Sequence, residues 1–189
     1  MVGGIEVFRD HFKDFSDRYI LIGGTACDLA FNEAGLDFRA TKDLDIVLSI
    51  ESFDGEFASR FWEFIKDGKY TEKGKETGKR QYYRFKEPEN EKFPAMLELF
   101  SRVPDSLSVS EESELTPIPT DDAISSLSAI LMDDDYYSFL KEGRVELDDL
   151  PVAKPEYLIP LKAKAWLDLS EKRDRGDDID SRSIKKHKN

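Results

Sequence analysis

Two aspartates one residue apart, Asp43 and Asp45, follow the glycine turn Gly23-Gly24-Thr25 in the chain. Each group has a chemical use. A helix opened by glycines presents free backbone N–H groups and the positive end of its dipole to a phosphate. Thr25 adds a hydroxyl. Two carboxylates on one side of a strand repel each other unless a cation lies between them, and Mg²⁺ takes oxygen ligands together with nucleotide phosphates. Combined, these are the parts of a metal-dependent phosphoryl- or nucleotidyl-transfer site.

The elements that must position them are legible on either side. Residues 19–22, YILI, form a short apolar run of buried-strand length, and residues 26–34 have helix-forming composition. Residues 43–48, DLDIVL, read as a second strand. Side chains alternate across a strand, so Asp43 and Asp45 share one side while Leu44, Ile46 and Leu48 take the core side. Taken singly, Gly-Gly is also an ordinary helix-start turn, and the two acids could be solvated at a strand end.

The string Gly23-Gly24-Thr25-Ala26, followed by Arg39-x-Thr41-x-Asp43-x-Asp45, resembles the AbiEii/AbiGii abortive-infection toxin-like nucleotidyltransferases. These are a branch of the DNA polymerase beta-type nucleotidyltransferase superfamily. The resemblance covers most of residues 19–180 and is strongest over 22–48. It implies Mg²⁺ (or Mn²⁺) and transfer of a nucleoside monophosphate from a nucleoside triphosphate to an acceptor hydroxyl. It also implies the toxin of a toxin–antitoxin pair acting on RNA. The superfamily's third carboxylate, on a strand beside the Asp-x-Asp strand, is best matched by Glu98, and a lysine in a Leu-rich helix is matched by Lys162. In that frame Asp43, Asp45 and Glu98 hold the metal, with Glu98 completing that site or deprotonating the acceptor. Gly23, Gly24, Thr25 and Lys162 hold the nucleotide phosphates.

Composition sets limits. The 189 residues include 39% hydrophobic side chains and 13 Phe, enough for one α/β domain with a helical appendage. No apolar run approaches the roughly 20 residues of a membrane helix, and the N-terminus has no signal-peptide pattern. One cysteine, Cys27, excludes an internal disulfide, two separated histidines give no zinc pattern, and the expected location is the cytoplasm. A net charge of −12 argues against a broad nucleic-acid surface and leans toward a small-molecule or localised acceptor, or a basic partner.

Helical spacing marks residues 5–15 and 53–65, the second expected to cross back over the sheet. Residues 69–80 are polar and locally basic, either a solvated turn or a flap over the nucleotide. Residues 81–86 and 93–102 read as two strands, a hairpin across 87–92. Within MLELF, residues 96–100, Glu98 interrupts an apolar run, so it stands either at a sheet edge in water or aimed at a cation.

Residues 103–122, rich in Ser, Pro and Glu, mark a boundary. Residues 123–140 read as helix, broken near Met132, where the acid triplet 133–135 suits a helix N-terminus. A short strand is expected over 144–150. The helix from Pro155 carries Leu158, Leu161, Ala165 and Leu169 on one stripe. Lys162 falls on that stripe, where it either snorkels to water or serves a site. Lys164 points away, spaced to pair with Asp168.

The tail, with Asp178 and Asp180, reads as a solvated charge run and loosely resembles the family's closing acidic motif. The chain stops in what reads as an unfinished helix, so a C-terminal piece is expected to be missing. The expected architecture is α/β (α+β), a mixed sheet flanked by helices: a nucleotidyltransferase core over residues 1–105 and a mainly helical region over 106–189. The rival readings are a small-molecule (antibiotic-type) nucleotidyltransferase and a non-catalytic nucleotide-binding module.

Overall fold

A computed structural model describes residues 2–38, 41–49, 55–71, 82–100 and 133–176. The basic stretch 72–80, the boundary 103–122, the helix start near 123 and the tail with Asp178 and Asp180 lie outside these residues, as does Arg39. The chain is mixed α/β. Six strands form one sheet with five helices around it among the described residues. In chain order these are α1 (Ile5–Phe12), β1 (Tyr19–Ile22), α2 (Gly23–Glu33), β2 (Asp43–Leu48), α3 (Gly55–Gly68), β3 (Tyr82–Lys86) and β4 (Met96–Phe100). Then come α4 (Asp134–Glu142), β5 (Arg144–Leu147), β6 (Leu150–Ala153) and α5 (Pro155–Asp174). No helix among the described residues is long and apolar enough to cross a membrane.

The sheet order is β3-β4-β2-β1-β6-β5. Strand β2 lies antiparallel to β1 and parallel to β4, while β1 is parallel to β6. The strand that follows α3 is not the parallel neighbour of β2. Strand β3 instead makes an antiparallel hairpin with β4, and β4 occupies the place beside β2.

The two faces are chemically different, as the alternation in β2 requires. One face carries Tyr19, Leu44, Ile46, Leu48, Leu97 and Phe85. Phe8 and Phe12 of α1 and Phe57, Phe61 and Phe64 of α3 pack there as an aromatic layer, with Tyr19 edge-on to Phe8 at 5.5 Å. The other face carries Asp43, Asp45, Val47 and Glu98. Helix α2 packs over β1 and β2 on that side, α5 packs against α2, and α4 against α5.

Where a single short strand is expected over 144–150, residues 144–153 form a hairpin of two. Asp148 and Asp149 turn the chain with φ of 51° and 58°, and β6 then completes the sheet beside β1. Asp tolerates this left-handed region better than most residues. Residues 144–153 therefore join the same sheet as β1 to β4. At α4 the acid triplet acts as expected: Asp133 caps the helix, accepting from the N–H groups of Asp135 and Tyr136.

Candidate active site

Strand β1 passes into α2 with no intervening loop, and Gly23 makes the turn at φ +66°. Two physical demands require glycine there. The left-handed backbone disfavours a side chain, and a Cβ on Gly23 would collide with Asp45 Oδ2. The Asp45 carboxylate thus lies against the first residue of α2, where the helix dipole favours negative charge. Ile22 provides no side-chain cap and the first turn holds no acid of its own. At Gly24 the neighbour is Thr41, whose Oγ1 would be 2.7 Å from an added Cβ. Both glycines therefore serve close approach to the residues of the Thr41-x-Asp43-x-Asp45 string.

Thr25 plays a different part from the one expected. Its side chain is 1% exposed and its hydroxyl donates to the Asp43 carbonyl at 3.0 Å. The hydroxyl ties α2 to the start of β2 and does not face a phosphate; only the backbone of Thr25 belongs to the helix N-terminus. Asp43 is half-buried and, by alternation, on the face of Asp45, which is 8% exposed.

Glu98 stands at the sheet position that a third carboxylate would need. Strands β2 and β4 pair in a register that puts Glu98 directly opposite Asp45. It is an interior position, since β3 covers the far side of β4. The residue is 3% exposed, and Arg84, opposite it on β3, holds it: Arg84 Nε and Nη2 reach Glu98 Oε1 at 2.8 and 2.7 Å. The arginine side chain is itself only 12% exposed. Breaking a buried pair of this kind by removing one partner costs about 3–5 kcal/mol. Arg84 is the residue that sequence reasoning missed. Its only signal was an arginine within YYRFK, and its meaning depends on a hairpin register that connects distant positions.

Lys162 is half-buried on α5, beside the buried stripe Leu158, Leu161, Ala165 and Leu169, on the helix that packs against α2. Among the described residues it makes no salt bridge. Lys164 does, donating to Asp168 Oδ1 at 2.8 Å, and that hydrogen bond raises the lysine's pKa.

The residues drawn together are therefore Gly23, Gly24, Asp43 and Asp45, with Glu98 and Arg84 adjoining on the sheet. Among the described residues, no group of three or more His, Cys, Asp and Glu side chains forms a metal-binding cluster. What the face offers a cation is a pair of hard carboxylates beside a helix N-terminus. That donor set fits Mg²⁺, which is commonly held by one or two carboxylates while substrate phosphates complete its shell. Comparison with family models, curated proteins and solved structures found no match to this chain.

Proposed function

We propose that the chain is a metal-dependent nucleotidyltransferase that moves a nucleoside monophosphate from a nucleoside triphosphate to an acceptor hydroxyl. The observation that carries this reading is the contact of the Asp45 carboxylate with Gly23, on the strand face that Asp43 shares. Phosphates and a carboxylate pair have a use for one another only through a cation, and here the two sites adjoin.

In this reading Asp43 and Asp45 hold a divalent ion, Mg²⁺ or Mn²⁺. Bound there, it would neutralise charge developing on the transferred phosphoryl group. The backbone N–H groups at Gly23, Gly24 and Thr25 receive phosphate oxygens, and the α2 dipole favours them. Lys162, on the helix against α2, supplies a further positive charge. Glu98 lines the same face with its carboxylate engaged by Arg84.

The acceptor is an RNA end, as for the toxin of a toxin–antitoxin pair, or a small molecule. The acidity of the chain, −12, favours a localised acceptor over a long nucleic-acid track. A second reading, a nucleotide-binding module without turnover, draws on the grip of Arg84 on Glu98.

One experiment separates these readings. The protein is incubated with each α-³²P-labelled triphosphate, Mg²⁺, and either total cellular RNA or a metabolite extract. Label on RNA or on a small product, absent in Asp45→Asn, supports transfer. Triphosphate binding by equilibrium dialysis with no labelled product supports the module, and no binding at all overturns both.

A further inference from the structure

The same sheet face holds a charge arrangement that no nucleotide contact explains. Arg84, Glu98 and Asp45 occupy facing positions on three adjacent strands, β3, β4 and β2. Three carboxylates, Asp43, Asp45 and Glu98, thus share one side of the sheet with Arg84, which is paired with Glu98. Arg84 commits two nitrogens to a single oxygen of Glu98. A buried carboxylate beside another carboxylate needs an opposite charge at hand, and Glu98 has one that belongs to the chain.

We propose that Arg84 is a positioning residue that withholds Glu98 from the metal, so that Asp43 and Asp45 bind one divalent cation and Glu98 remains with the guanidinium. This rests on the nucleotidyltransferase reading and refines it. A planar fork held along the sheet fixes the Glu98 carboxylate as no ammonium would. Arg84 thereby sets both the number of ions and the shape of the wall beside Asp45. Glu98 becomes a metal ligand only when Arg84 is removed.

The test is Mn²⁺ binding to the full chain, without nucleotide, followed by electron paramagnetic resonance. The wild type should bind one Mn²⁺ per chain. Asp45→Asn should weaken binding at least tenfold, whereas Glu98→Gln should change it less than threefold. Arg84→Met should tighten binding several-fold, because Glu98 is released to the ion, and Arg84→Met/Glu98→Gln should return it to the wild-type value. Circular dichroism reports folding of each variant. Should Arg84→Met not fold, the comparison of Glu98→Gln with Asp45→Asn decides. Equal loss in those two would overturn the role of Arg84 and make Glu98 a ligand, while leaving the metal site standing. A wild-type protein that binds no Mn²⁺ would instead overturn the metal reading beneath it.

Discussion

The Asp45 carboxylate occupies the space that a side chain on Gly23 would need. Gly23→Ala must therefore both strain a backbone at φ +66° and displace the carboxylate. The backbone alone costs about 1–2 kcal/mol. Gly24 differs: its backbone is not left-handed, and a methyl group there meets the short Thr41 side chain, which must shift by a few tenths of an ångström. Gly23→Ala is expected to lower stability and abolish Mn²⁺ binding, and Gly24→Ala to do much less. Urea denaturation and Mn²⁺ titration check this; the reverse ranking would show that Asp45 is not held by the turn.

Thr25 offers a sharp contrast between tie and ligand. Thr25→Val keeps the shape but removes the hydroxyl's hydrogen bond to the Asp43 carbonyl, a loss of about 1–2 kcal/mol. Thr25→Ser keeps the hydroxyl and should recover most of that stability. The measurement is the urea midpoint of both variants beside their affinity for triphosphate. A Val variant of full stability that no longer binds triphosphate would restore the hydroxyl to the phosphate site.

The two lysines of α5 should separate cleanly. Lys164 is engaged by Asp168 one turn on, and Lys164→Ala is expected to leave triphosphate binding unchanged. Lys162→Ala should weaken it about tenfold, the effect of one lost charge-assisted contact of roughly 1.4 kcal/mol. Isothermal titration with a non-hydrolysable triphosphate reads the difference. If Lys162→Ala binds like wild type, α5 supplies packing alone.

Alkaline pH should unfold this chain through its tyrosines. Burial raises the phenols of Tyr19 and Tyr70 above their ordinary range, and Tyr70 also donates to the Pro94 carbonyl at 2.6 Å. In the unfolded chain they titrate near pH 10. The folded state keeps those protons where the unfolded state has released them. Their contribution is therefore complete below about pH 10 and is lost as pH rises further. Tyrosinate absorbance should show Tyr19 and Tyr70 withheld until unfolding. Tyr70→Phe should flatten part of the alkaline loss, and a full native titration of every tyrosine near pH 10 would contradict the burial.

Local pattern carried the sequence reading as far as local pattern reaches. The run Tyr19–Ile22, the glycine turn and the alternation in Asp43–Leu48 each declare themselves within a few residues, and each formed as expected. Strand β6 did not. Pro151 lies inside it, an edge-strand signal, and the turn before it uses Asp148-Asp149 rather than glycine. The partner of Glu98 was hidden for another reason. Whether a buried acid meets water, a cation or an arginine depends on which strand lies beside it, and only the β3–β4 register decides that.

Strand β1 is synthesised early, and its parallel partner β6 late. A nascent chain that ends before residue 144 has β1 as an open edge, with Tyr19, Ile20, Leu21 and Ile22 all apolar and a row of backbone groups unmatched. Such an edge invites pairing with other chains and is a natural target for chaperones. The turn at Gly23 hangs from that same strand, so the frame behind the carboxylates is completed on its far side when the β5–β6 hairpin docks.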